Sequence, residues 1–238
     1  MNVPLIQVDN LSIRYGNHVA VNNVSFQVQS GETLGILGSN GAGKSSTLKV
    51  LACVNPLTSG RVLVGGYDVS HPRDVESAKK VLGYCPDVGG LIKTATIREH
   101  IGITLALHDK LHLWKQALEL VERFNLLEFL DTPCADFSHG MSRRLSVILA
   151  VVASQQALIL DEPYDGVDPL GADTTKEVIK EASEAGLSTI ISTHLQSLLV
   201  ESSDRVLIMR KGEVMAEDSA DKFKGQAGTQ RYREILEQ

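Results

Sequence analysis

The sequence predicts an α/β domain on a mostly parallel sheet, with an antiparallel β subdomain at its N-terminal end and an inserted helical lobe. Three observations carry this. A short apolar run, Thr33 to Leu37, leads into a glycine cluster and then a helix-like stretch. Short apolar strands alternate with helical segments from Met141 to Met209. Between them, Ile101, Leu105, Leu111, Leu118, Val121 and Leu126 recur at helical spacing with no strand signal.

In chain order, Leu5 to Tyr15 and Val19 to Val28 are rich in β-branched residues. The Gly16-Asn17 turn between them predicts an antiparallel pair. Ser30-Gly31 marks a second turn before the strand at Thr33 to Leu37. A helix is expected over Ser45 to Ala52, and strands over Val62 to Val64 and Val81 to Cys85. The segment from Ile97 to Leu130 reads as helical and is closed by Pro133. A helix over Met141 to Ala153, a buried strand over Ala157 to Leu160 and a helix from about Leu170 to Ala185, ended by Gly186, follow. Strands over Thr189 to Ser192 and Val206 to Met209, then a peripheral helix after Ala220, complete the chain. The expected organisation of residues 1–238 is a single domain. Its core is 1–87 with 141–220, its helical lobe 88–140 and its tail 221–238.

The chain has 238 residues, 43% apolar and 22% charged, enough for a core without covalent staples. A net charge of −6 argues against a nucleic-acid partner, which requires a basic face. Cys53, Cys85 and Cys134 are scattered and form no C-x-x-C pair, so neither a zinc site nor a disulfide framework is expected. Met1 to Asn10 lacks the pattern of a signal peptide. The most apolar run, Val147 to Ala153, is far short of the roughly 20 residues that a span needs. A soluble chain, reaching any membrane through a partner, is the expectation.

Gly38-Ser39-Asn40-Gly41-Ala42-Gly43-Lys44-Ser45 matches G-x-x-x-x-G-K-[ST] in full, and it lies between a strand and a helix. Glycines let the backbone wrap around phosphates. Successive amides and a helix N-terminus then turn partial positive charge on the anion. Lys44 would reach the β and γ phosphates, and Ser45 would ligate Mg²⁺. The fold class is thereby narrowed to a P-loop NTPase core. Leu158-Ile159-Leu160 ends in Asp161 and Glu162, at the C-terminal end of a central strand, where ligands bind in open α/β sheets. Asp161 would hold Mg²⁺, and Glu162 would orient and polarise an attacking water. His194 after a strand and Tyr15 before a turn carry no specific signal on their own.

Together these pieces resemble the ATP-binding-cassette (ABC) ATPases, from about Leu5 to Glu217. The stretches that carry the resemblance are Gly38 to Ser46, Tyr84-Cys85-Pro86-Asp87, Phe137-Ser138-His139-Gly140-Met141 with Arg144, Leu158 to Pro163, Gly166-Val167-Asp168-Pro169 and Ser192-Thr193-His194. The resemblance implies two such domains closing head to tail around two Mg-ATP, the second being another copy or a homologous subunit. Each ATP would lie between Gly38 to Ser46 of one chain and Ser138 and Gly140 of the other. It further implies that Tyr15 stacks on adenine, that His194 contacts the γ-phosphate and that Asp168 couples the two sites. A separate transmembrane permease subunit is the implied partner, which places the chain at the cytoplasmic face of a membrane.

Three positions depart from the family pattern. Asp87 stands where glutamine is usual, and as a carboxylate it is a further candidate Mg²⁺ ligand. The signature segment reads FSHGM rather than LSGGQ, a variant seen among members of the ABC-2-type exporter group. Tyr164-Asp165 follows Pro163, where small residues are commoner. The expected function is ATP hydrolysis that powers a transporter, with export as the expected direction. A non-transport ABC ATPase and a catalytically weak partner in a heterodimer remain the alternatives.

Overall fold

A computed structural model describes residues 4–237. Its first sheet is antiparallel, in the order β2-β1-β4-β5. It contains β1 (Ile6–Tyr15), β2 (His18–Val28), β4 (Ser59–Val64) and β5 (Tyr67–Asp68). The second sheet has six strands, in the order β10-β9-β3-β8-β7-β6. These are β3 (Thr33–Leu37), β6 (Leu82–Cys85), β7 (Ala157–Asp161), β8 (Ser188–Thr193), β9 (Arg205–Arg210) and β10 (Glu213–Ser219). Five of them pair in parallel, and β10 runs antiparallel at one edge.

Every residue of β3, β7 and β8 is buried, as expected of strands covered on both faces. Their side chains divide by parity. Leu37, Leu158, Leu160, Ile191, Val206 and Ile208 pack into one core with α5 (His139–Ala153), α6 (Pro169–Glu184) and α7 (Gln196–Ser202). Ile36, Ala157, Ile159, Ile190, Leu207 and Met209 pack into a second core with α1 (Lys44–Leu51), α2 (Pro72–Val81) and the antiparallel sheet. The second face is thus covered chiefly by a β-sheet, where the alternation pattern predicts helices on both sides.

The helical stretch expected over Ile97 to Leu130 is interrupted. It forms α3 (Ile97–Leu107), a single 3-10 turn at Leu111–Leu113, α4 (Trp114–Arg123) and a further turn at Leu127–Phe129. Asp109 and Asn125 adopt positive φ, 57° and 53°, which ends each helix. Leu111 fits the apolar spacing yet is exposed, because the chain has left the helix before reaching it. Helix α3 starts at a capping box between Thr96 and Glu99.

Four elements carry too weak a pattern to be read from the sequence: β5, α2, α7 and β10. Of these, α2 buries only Ala78 and Val81, although Pro72 at its first turn and Lys79-Lys80 in its last are start and stop signals. The tail forms a 3-10 turn at Ala220–Phe223 and α8 (Gly225–Glu237). No helix among the described residues is long and apolar enough to cross a membrane.

Candidate active site

Parallel pairing sets four strand ends side by side. Leu37 is level with Thr193, Ser192 with Asp161, and Leu160 with Cys85. The loops that leave these ends, 38–43 after β3, 86–87 after β6, 162–168 after β7 and 194–195 after β8, therefore meet at the C-terminal edge of the sheet. They border a cavity of about 400 Å³ lined by residues 39–46, Asp87, Glu162, Asp165 and His194.

The loop follows its glycines. Gly43 has φ 102° and caps α1, and a Cβ there would lie 2.7 Å from the Ala20 carbonyl oxygen. Only glycine satisfies both the conformation and the approach. Lys44 is 5% exposed. Its Nζ donates to the Gly38 carbonyl at 2.8 Å and stands 3.5 Å from Glu162 Oε1.

Asp161 is fully buried. Its Oδ1 accepts from Ser45 Oγ at 3.1 Å and from Ser192 Oγ, while its Oδ2 is buried with no protein partner. Burial pushes its carboxyl above the usual carboxylate range, and the charges of Asp87 and Glu162 push the same way. An orphaned buried carboxylate oxygen beside a serine hydroxyl is a donor set suited to a hard, oxygen-seeking cation. Ser45 and Asp161 therefore fit Mg²⁺, and the Asp87 carboxylate lines the same cavity as Ser45.

Glu162 sits at φ 51°, a left-handed conformation rare for a non-glycine residue and typical of functional positions. It is held there by bonds from its own amide to Ser192 O at 2.9 Å and from the Asp165 amide to its carbonyl at 3.1 Å. Its Oε2 accepts from the His194 amide at 3.3 Å and lies 3.0 Å from His194 Nδ1. One carboxylate oxygen thus faces Lys44 and the other His194. A carboxylate held between two nitrogen groups on the wall of this cavity can accept a hydrogen bond from a water and so align it on an anion bound there.

The other residues singled out by the sequence lie apart from this cavity. Tyr15 ends β1 and is half exposed, and its hydroxyl accepts from Asn55 Nδ2 at 3.1 Å. Ser138 caps α5 and accepts from the Met141 amide at 3.2 Å, on the protein surface. Gly140 packs against the loop before α6, where a Cβ would lie 2.6 Å from the Gly166 carbonyl oxygen. His139, in contrast, is ordinary helix at the first position of α5, so its Cβ costs no strain. Asp168 caps α6 by accepting from the Gly171 amide at 2.9 Å. The sequence reading missed Arg143, a buried arginine against the loop after β6, and gave no role to Asp165, which lines the cavity. Asp165 was visible only as a departure from the family pattern, and nothing in the sequence distinguishes Arg143 from its neighbour Arg144.

Comparison with known proteins shows the family and the fold. Residues 21–165 match the family described as ABC transporter. The linearmycin resistance ATP-binding protein LnrL of Bacillus subtilis is 32% identical over 89% of this chain and 68% of its own length. The lipopolysaccharide export system ATP-binding protein LptB of Haemophilus influenzae is 28% identical over 89% of each chain. A solved structure of the ATP-binding subunit of an ABC transporter superposes with a TM-score of 0.89, at 26% identity, over 98% of this chain and 99% of that one. The chain belongs to the ABC transporter family and is an ABC ATPase, the nucleotide-binding cassette of such a transporter.

Proposed function

We propose that this cassette hydrolyses Mg-ATP to drive a separate transmembrane permease subunit that exports its cargo, working head to tail with a second copy or a homologous subunit. The observation that carries the reading is the convergence of Lys44, Ser45, Glu162 and His194 on one cavity behind a complete phosphate loop, with the buried Asp161 carboxylate accepting from Ser45.

The loop amides and the N-terminus of α1 hold the β and γ phosphates, with Lys44 as the point charge between them. Ser45, Asp161 and the Asp87 carboxylate would hold Mg²⁺, which would supply neutralisation of the charge on the phosphates. Glu162 accepts a hydrogen bond from the attacking water and orients it in line with the bond to the leaving ADP. His194, braced by the Glu162 carboxylate, donates to the γ-phosphate. Adenine stacks on the half-exposed ring of Tyr15. Ser138 and the amides near Gly140, at the N-terminus of α5, cover the γ-phosphate of the partner's ATP, and Asp168 joins the two sites. Their position on the surface, outside their own cavity, suits a role in trans.

Export as the direction is supported by the FSHGM segment and by the similarity to an export-system protein and a resistance protein. A place at the cytoplasmic face of the membrane follows from the permease. The test is to tag the chain, extract membranes with mild detergent and identify what co-purifies. A polytopic membrane protein in equal amount is the expected result. Recovery of the chain alone, or on a soluble complex, would replace the transporter reading with that of a non-transport ABC ATPase.

A further inference from the structure

Arg143 lies in the second turn of α5 and is 4% exposed. A guanidinium removed from water must be matched by acceptors. Nε finds none, and the acceptors of Nη1 and Nη2, with a weak contact of Nη1 to Cys85 Sγ at 3.9 Å among them, all lie at the end of β6, in the loop after it and at the end of β7. Nη1 donates to the Pro86 carbonyl at 2.7 Å and to the Asp161 carbonyl at 3.3 Å. Nη2 donates to the Asp87 carbonyl and stands 3.4 Å from Asp87 Oδ1. These acceptors are the end of β6 with the loop after it and the last residue of β7, the backbones that carry Asp87, which lines the cavity, and Asp161, which is bonded to Ser45 of its lining. Tertiary bonds from Arg143 to the helical segment around α3 and α4 are absent, whereas the adjacent Arg144 donates to the Phe124 carbonyl at the end of α4.

Resting on the reading of the cavity as an Mg-ATP site, we propose that Arg143 is a positioning residue for that site. Its fork ties the 86–87 loop to the end of β7 and thereby sets the Asp87 carboxylate at a fixed distance from Asp161 and Ser45. Three features favour this over a merely structural arginine. The planar guanidinium spans carbonyls of the loop after β6 and of the end of β7, which the single ammonium of lysine does not do. Asp87, half exposed and lining the cavity, has among the described residues this buried cation alone within 4 Å of its carboxylate. The contact also reaches from the same helix whose N-terminus carries Ser138, one and a half turns earlier, so the cation side of one site and the outward-facing end of α5 share one rigid element.

The test is equilibrium binding of ATP to the full chain, with and without Mg²⁺, for wild type, Arg143→Lys, Asp87→Asn and the double variant, with thermal melting alongside. Outer-shell partners of metal ligands typically affect metal affinity by about 10–100-fold. Arg143→Lys is therefore expected to weaken Mg-ATP binding about 10-fold while Mg-free ATP binding stays within about twofold. On the Asp87→Asn background, the same substitution is expected to add less than about twofold, because the carboxylate it positions is gone. Equal weakening with and without Mg²⁺, unchanged Mg-ATP binding, or additive losses in the double variant would each overturn the proposal. If Arg143→Lys does not fold, Arg143→Gln, which keeps donors to the carbonyls and removes the charge, carries the same comparison. Wild-type chain that binds Mg-ATP no better than Lys44→Ala would instead overturn the reading of the cavity itself.

Discussion

His139 Nε2 lies 2.8 Å from the Asp165 carboxylate, tying the first residue of α5 to the loop that leaves β7. Two departures from the family pattern are therefore one feature. The histidine that replaces a glycine in the signature segment meets the aspartate that replaces a small residue after Pro163. The neighbouring Tyr164 is buried, and its hydroxyl shares a hydrogen bond of 2.5 Å with Ser202 Oγ on α7. The loop that contains Gly166 and Asp168 is thus pinned from both sides. His139 and Asp165 remain well exposed, so their pairing contributes on the order of 0–1 kcal/mol.

Adjacent positions of that segment should accordingly respond very differently. His139→Ala should leave the melting temperature almost unchanged, since an exposed pair is weak. Gly140→Ala sets a Cβ 2.6 Å from the Gly166 carbonyl oxygen, so the loop must shift. A displacement on the order of 1 Å at a reacting site costs about 10²-fold in rate. ATPase assays of the two variants check the contrast. Gly140→Ala activity equal to wild type would show that the close approach has no functional weight.

Glu162 is the candidate base, braced by His194 and Lys44 in a strained backbone conformation. Glu162→Gln keeps the shape and removes the basicity. It should retain ATP binding and slow turnover by about 10²-fold or more. Single-turnover hydrolysis together with nucleotide binding separates the two effects. Undiminished turnover would assign the base elsewhere.

Lys44→Ala should act earlier in the sequence of events. Without its cation, the cavity keeps its amides but loses the buried positive charge beside Glu162. Nucleotide affinity and hydrolysis are both expected to fall, with affinity reduced by at least about 10-fold, the scale of a charge-assisted contact of about 1.5–3 kcal/mol. A binding titration decides it, and wild-type affinity would be the contrary result.

How much of this was legible in the sequence depended on how local each signal was. The phosphate loop, with Lys44 and Ser45, is a contiguous string whose glycines and lysine sit next to the helix they cap. The strand that ends in Asp161 and Glu162 is equally local. The antiparallel sheet that covers the second face of the core was less legible as a cover. Alternation along β1 and β2 shows that one side is buried, not what buries it. The breaks between α3 and α4 rest on positive φ at Asp109 and Asn125, residue types that tolerate such angles without requiring them. Arg143 could not be found at all. Its role arises from the meeting of α5 with the ends of β6 and β7, strands 75 residues apart in the chain by their first residues, Leu82 and Ala157. Asp165 and His139 were visible as oddities, but only the fold makes them a pair.

Asp168 gives the clearest prediction of pH dependence. It caps α6 through the bond from the Gly171 amide, which, with lesser help from the Arg144 charge, holds its carboxyl below the usual aspartate range although slight burial opposes this. Because the folded value is depressed, the contribution of the cap is fully present above the unfolded value of about 3.9 and is lost as pH falls through the folded one. At neutral pH, Asp168→Ala should destabilise the chain by about 1 kcal/mol, the usual worth of an N-cap. Repeating denaturant unfolding of wild type and variant at successively lower pH should show the difference constant down to about pH 5 and shrinking below about pH 4. A difference that stayed constant to pH 2 would mean that the neutral carboxyl caps α6 as well as the ionised one. A difference that was already declining between pH 8 and 6 would mean that another group, not Asp168, sets the stability of this helix end.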